Sequence, residues 1–183
     1  RSPSRGLGDV YKRQGFDIKI IDQDEKQNSS NAALGILMGK IYQKRKGRSW
    51  ILRQKSSELW PKWINILHKY NSKLIFEKPL FKLTSDLDKF KKLTTFVDNY
   101  PNDEIEIVEA NSHILRHINK TFEGNKFQGI ISHQDGRIDP QILLETLNKI
   151  LRNKNIKTIN DQVIQIEKKF QKWYLKLKSG EVL

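Results

Sequence analysis

Cysteine is absent from the 183 residues of this chain. Disulfide staples, cysteine-ligated zinc and a thiol nucleophile are therefore excluded within this stretch. The absence fits a reducing cytoplasm, the expected location. Long apolar runs are missing too. None approaches the roughly 18 residues needed to span a bilayer, and the longest, Ala32 to Met38, is interrupted by Gly35. No membrane partner is expected on that ground. There is no internal repeat and no low-complexity tract.

Acidic residues are the minority charge, 21 against 34 Lys and Arg, which leaves a formal net charge of +13. A surplus of that size invites a nucleic-acid reading. The excess is mostly Lys, however, scattered along the chain among many Ile and Asn, as A+T-rich codons would produce. Binding faces cluster Arg and Lys with aromatics or glycines, and nucleic acid is not the expected partner. The densest run, Lys40 to Arg48 (KIYQKRKGR), reads as a solvated loop, with a phosphate-binding patch as the alternative. At 37% hydrophobic and 30% charged residues, with four Trp, the chain is globular and can build a sizeable core. Its length suits one large domain or two interleaved small ones.

The first fourteen residues, Arg1 to Gln14 (RSPSRGLGDVYKRQ), carry no hydrophobic period and no signal-peptide core. They resemble translated adapter sequence and are set aside as non-native. Gly6-Leu7-Gly8 does not open a dinucleotide fingerprint, since no strand precedes it and Tyr11 stands where the third glycine is needed.

From Gly15 onward the pattern alternates between short strands and helices. GFDIKII (Gly15 to Ile21) reads as a strand ending at Asp22, and Gln23 to Asn31 as a polar loop. Ala32 to Gly39 is too glycine-broken to read as either element. Between Arg48 and Tyr70, spacings of three and four align Leu52, Leu59, Trp60, Trp63, Ile64 and Leu67 on one helix face. Pro61 predicts a kink or a break in that helix. Two strands (LIFE and PLFKL) are expected between Lys73 and Thr84, then a helix from Asp86 to Asn99 and a strand at Ile105 to Val108. Asn111 or Ser112 should cap a helix to about Thr121, and Phe127 to Ser132 forms another strand. In DGRIDP, Asp139 suits an N-cap and Pro140 the first helical position. Strands follow at Ile156 to Ile159, Val163 to Glu167 and Trp173 to Leu177, with a turn at Ser179-Gly180 into a further strand at Val182.

A strand ending in an acid, a polar loop, a small-residue segment and a long helix, with a later helix opened by DGRIDP, is similar to the D-amino-acid oxidase and glycine oxidase family of FAD-dependent oxidoreductases. The resemblance spans Gly15 to Leu183. It implies an α/β fold with an α+β insert: a partial Rossmann-like FAD-binding domain over 15–72 and 135–183, interleaved with a substrate-domain sheet over 73–134. It also implies cofactor-binding roles. Asp22 would accept hydrogen bonds from the ribose hydroxyls. Ser29, Ser30, Asn31, Ala32, Ala33 and Gly35 would form the small-residue loop beside the pyrophosphate and flavin ring, where short side chains let backbone N–H groups approach anionic oxygens. Leu34 departs from that pattern. Val163 would lie on the strand whose backbone brackets the adenine. A strand-end aspartate in solvent, a tight turn and an ordinary core strand are the plainer readings of these positions.

The implied reaction of the intact parent is oxidation of an amino acid or small amine, glycine oxidase-like, by hydride transfer to FAD with oxygen as acceptor. Cofactor chemistry of that kind needs no side-chain acid or base, and no catalytic residue is nominated. The family's glycine-rich loop would fall upstream of Asp22, in Arg1 to Gln14, and its substrate-binding residues beyond Leu183. The polypeptide as written is therefore expected not to hold FAD. Two rivals remain: a same-fold flavin enzyme acting on a modified tRNA nucleoside, and a non-enzymatic basic RNA-binding module. His113 and His117 share a helical i, i+4 spacing, but Ile114 stands where a zincin has Glu, and surface histidines are the expectation. Asp135 and Asp139 read as turn and cap residues, not as a catalytic pair.

Overall fold

The computed structural model describes residues 15–23, 32–122 and 126–183. Arg1 to Gln14 and the loop residues Ser29, Ser30 and Asn31 lie outside the described residues. The fold is mixed α/β, as the alternation of patterns predicts, and it divides into two compact units. The first unit takes the chain up to Leu34, residues 69–73 and Pro140–Leu183; the second takes Gly35–His68 and Leu74–Asp139.

In the first unit, β1 (Lys19–Ile21) pairs in parallel with β7 (Lys157–Ile159), Ile20 lying opposite Thr158. A parallel pair requires a crossover, and here more than a hundred residues intervene, the last of them a helix, α4 (Pro140–Asn153). That helix starts at Pro140 because proline pre-sets the helical φ and needs no N–H partner there. Its Leu151 packs with Ile20 and Ile156 in a small core, joined by Ile18. β1 is shorter than the β-branched run from Gly15 predicts. β8 (Val163–Lys169) and β9 (Lys172–Leu177) form an antiparallel hairpin, and Leu183 exchanges backbone hydrogen bonds with Leu175 at 2.9 Å in both directions. The turn before it uses Gly180 at φ +96°, a left-handed conformation open to glycine.

The second unit is built on a three-stranded antiparallel sheet in the order β3 (Leu80–Thr84), β5 (Gln128–Ser132), β4 (Ile105–Val108). Alternation along β5 sends Ile130 and Ile131 to opposite faces. Ile130 packs with Ile105, Ile41 and the buried Leu93 and Phe96 of α2 (Leu87–Asp98). Ile131 packs with Val108, Leu115 and the half-buried Phe81, Leu83 and Ile118. Gly129 is where the sheet is tightest: an added Cβ would overlap the Lys82 backbone carbonyl. α2 starts at Asp86, whose carboxylate accepts from the N–H groups of Asp88 (2.9 Å) and Lys89 (3.0 Å).

Several expectations are corrected. α1 (Arg48–His68) runs through Pro61 without a break. Helix propagation is cooperative on either side of one missing donor, and Leu67 is buried beyond it, with Trp63 and Ile64 half-buried. The apolar stripe is buried only toward that end; Leu52 is 71% exposed and Leu59 is also exposed. The N-terminal half of α1 is held instead by polar contacts, Arg53 donating to the Met38 carbonyl at 3.0 Å and stacking on Tyr42. LIFE is not a strand. Only Glu77 makes a bridge, exchanging two 2.8 Å hydrogen bonds with Arg137, which leaves one pair too few for a ladder. Ile36–Leu37, in the segment left unassigned, forms the two-residue strand β2 against β6 (Gly136–Arg137). The helix expected from Asn111 or Ser112 is instead a 3-10 turn (His113–Leu115) followed by α3 (Arg116–Thr121), and Ser112 makes no side-chain cap.

Candidate functional site

Two places hold the chemistry-bearing residues, one in each unit. In the first unit the feature is the C-terminal end of the parallel pair. The Asp22 N–H donates to the Ile159 carbonyl at 3.0 Å, carrying the β1–β7 ladder one residue past Ile21. Asp22 is half-buried and fixed at a strand end. Val163 begins β8 four residues after Ile159 and is also half-buried, opposite Leu177. Asp22 thus lies at the C-terminal end of β7, and Val163 follows that end by four residues in the chain. In open parallel sheets that end is where ligands collect, because the strand termini leave unpaired backbone groups there. Ala32 and Ala33 are exposed. Gly35 belongs to the other unit, where its φ of +68° and its carbonyl, which accepts from Ile138 N–H at 3.0 Å, make it a turn residue.

The second place is a cavity of about 350 Å³ in the second unit. Its wall includes the turn at Gly39-Lys40, the start of α1 and the DGRIDP segment. Asp135, only 2% exposed, draws that turn together. Its Oδ1 accepts from the N–H groups of Gly39 (2.7 Å) and Lys40 (3.0 Å), and its Oδ2 from Ile41 (2.6 Å). Three backbone donors converging on one carboxylate form an anion nest that the protein fills with its own side chain. Gly136 follows because a Cβ there would strike the Glu77 carbonyl and the Phe76 ring. The sequence assigns Asp135 to its own turn; its carboxylate instead clamps a segment that begins 96 residues earlier in the chain.

Arg45, inside the KIYQKRKGR run, is the residue that sequence reasoning missed. The run reads as a solvated loop, yet the Arg45 side chain is 9% exposed. Its guanidinium pairs with Asp103 and donates to the Lys40 carbonyl, lying 3.9 Å from the Tyr100 ring centre, 4.8 Å from Phe96 and 5.2 Å from Trp50. Arginine suits this place because its planar, weakly hydrated cation can stack and pair at once. Lys40 Nζ joins Asp103 from the other side at 2.8 Å. The only sequence cue is a basic run followed by Trp50, too common to single out. Arg53 Nε is buried with no hydrogen-bond partner among the described residues.

Partial burial pushes the Asp103 carboxyl up, but hydrogen bonds and charge from Lys40 and Arg45 outweigh it and hold the group below its usual range. A carboxyl with a depressed folded pKa contributes stability above the unfolded value, near about 4, and loses it as pH falls through the folded value. Unfolding midpoints measured from pH 7 downward should therefore fall below about pH 4, and Asp103→Asn should flatten that part of the curve. Parallel curves for parent and variant would show that the cluster contributes nothing.

His113 and His117 are both exposed, and no group of three or more His, Cys, Asp or Glu suited to a metal occurs among the described residues. No helix among those residues is long and apolar enough to cross a membrane.

No protein-family model matches the chain, and no curated protein matches it by sequence. Solved structures match it in fold. Iminodiacetate oxidase from Chelativorans sp. BNC1 superimposes with a TM-score of 0.78 at 14% identity, over 98% of this chain and 49% of that one. Glycine oxidase from Bacillus cereus ATCC 14579 gives 0.76 at 13% identity, over 96% and 50%. L-α-glycerophosphate oxidase from Mycoplasma pneumoniae, reduced with dithionite and with FAD bound, gives 0.65 at 15% identity, over 94% and 47%. The chain spans about half the length of these structures. At such identities the likeness establishes the fold: a mixed α/β arrangement shared with part of these oxidases.

Proposed function

We propose that this chain is part of a flavoprotein oxidase that binds FAD and oxidises an amino acid or small amine, in the manner of a glycine oxidase. The observation carrying this reading is the parallel β1–β7 pair with Asp22 at its end, split in sequence by an inserted antiparallel unit. Within it, the first unit serves as the dinucleotide part and the second as the substrate part. The fold match to oxidases named for iminodiacetate and glycine supports the amine class.

The residues present fit the cofactor. A carboxylate at the end of a parallel strand can accept from both ribose hydroxyls, and Asp22 is held there by its own N–H. The exposed Ala32 and Ala33 carry side chains too short to bar an anionic group from the backbone. Bound FAD supplies two-electron acceptance from the carbon bearing the amine, with oxygen as the acceptor that follows. This chain's residues orient the nucleotide: Asp22 at the ribose, the Ser29 to Ala33 segment along the pyrophosphate, and the Val163 backbone beside the adenine. No side chain here is assigned a proton-transfer role.

The test is to purify the product of the open reading frame that carries this chain and look for retained flavin, then for peroxide released with glycine, sarcosine or iminodiacetate. Retained flavin with amine-dependent peroxide is the expected result. A colourless protein that neither binds added FAD nor gives peroxide rejects the proposal.

A further inference from the structure

The hairpin β8–β9 ends in a two-residue turn, Phe170-Gln171, with both residues at positive φ (49° and 67°). That is the twist a tight hairpin needs, but glycine and asparagine are the residues that adopt it readily. A phenylalanine there is disfavoured locally and gains no packing, for Phe170 is 96% exposed. Folding does not explain its presence.

Its surroundings share this character. The register sets Lys168 opposite Trp173 and Ile166 opposite Leu175, which puts all four on the face that carries Val163 and Leu177 nearer the base. The face is covered only at its foot: Leu177 is fully buried, whereas Ile166 is 62% and Trp173 64% exposed. Lys168, Lys169 and Lys172 ring the tip, against one acid, Glu167, which Lys169 already pairs at 2.6 Å. Apolar and aromatic side chains at a narrow tip within a collar of lysines are the arrangement that enters a bilayer interface, rings at headgroup depth and cations on anionic lipids.

We propose that the β8–β9 tip docks this protein peripherally on anionic phospholipid surfaces, with Phe170, Trp173 and Ile166 inserting and Lys168, Lys169 and Lys172 pairing with headgroups. Charge complementarity selects this occupant, since both the tip and the chain at +13 carry excess positive charge. A second copy, equally cationic, is repelled. Single-stranded RNA fits less well: base stacking uses open rings, whereas Ile166 adds exposed aliphatic surface and Lys168 Nζ already lies 5.6 Å from the Trp173 ring centre. The lack of a spanning helix among the described residues bears only on crossing a bilayer, and peripheral contact departs from the expectation of no membrane partner.

The test is sedimentation of the full chain with vesicles of phosphatidylcholine alone and of phosphatidylcholine with phosphatidylserine. Binding should be at least about tenfold stronger to the anionic vesicles and should weaken with salt. Phe170→Ser with Trp173→Ser should reduce it by about tenfold or more, while Trp173→Phe should largely retain it. Unchanged circular dichroism checks that the variants fold, and Lys168→Glu with Lys172→Glu gives a second variant with the apolar tip intact that should also lose binding. A control set, Lys89→Gln, Lys91→Gln and Lys92→Gln on α2, should bind like the parent. Failure to bind anionic vesicles, equal binding by the serine variant, or equal loss in the α2 control overturns the proposal. So does binding of poly(U), without vesicle binding, that disappears in the serine variant, which would make the tip a nucleic-acid contact.

Discussion

Asp135→Ala is expected to destabilise the second unit by about 3 to 5 kcal/mol, because it strands the N–H groups of Gly39, Lys40 and Ile41 at once. A buried donor left unpaired costs about 1 to 3 kcal/mol, and Asp135 is 2% exposed, so water has little access. For a chain of this size the loss corresponds to a fall in melting temperature of roughly 10 °C. Asp135→Asn separates the hydrogen bonds from the shape. Its one remaining oxygen can still serve Gly39 and Lys40, while its NH2 group faces the Ile41 donor, so an intermediate loss is expected. Urea or thermal unfolding of the three proteins gives the ordering directly. A cost below about 1 kcal/mol for the alanine variant would mean that the turn finds other acceptors and that Asp135 is not its clamp.

In Asp22→Ala the ladder contact to Ile159 is made by the backbone N–H and survives truncation. The effect of the substitution should appear in FAD affinity. A hydrogen bond to a charged group contributes about 1.5 to 3 kcal/mol, so removing the carboxylate should weaken FAD by about 10- to 150-fold. Asp22→Asn should lose less, keeping one acceptor. Titration of FAD into the flavin-free product of the full open reading frame, followed by flavin fluorescence, measures this. An unchanged affinity would remove Asp22 from the ribose, and with it the main support for the nucleotide assignment.

Much of the local structure is legible in the chain. Asp86 before an apolar-periodic stretch stops at Asn99 and Pro101, and α2 follows it; Asp139-Pro140 opens α4; alternation at Trp173, Leu175 and Leu177 marks β9. These signals are short-range, each a consequence of capping, proline geometry or a period of two. The candidate site is legible only in part. Asp22 stands out as an acid at a strand end and Val163 enters only through the resemblance, but nothing in Asp22 says that its N–H meets Ile159. Ser29, Ser30 and Asn31 lie outside the described residues, and their role along the pyrophosphate remains part of the proposal.

What the sequence by itself determined is most of the longer elements and their order, together with the absence of thiol chemistry and of any apolar run long enough to span a bilayer. Spacing and capping act over a few residues, which is the range a linear reading can follow. Tertiary structure alone decided that Lys19–Ile21 lies parallel to Lys157–Ile159, that Asp135 reaches back to Gly39, and that Arg45 leaves solvent for Asp103 and three aromatic rings. The strand pairing, the Asp135 clamp and the Arg45–Asp103 pair join residues 138, 96 and 58 positions apart, where the partner is chosen by which groups the fold buries together, and no local propensity encodes which partner that is.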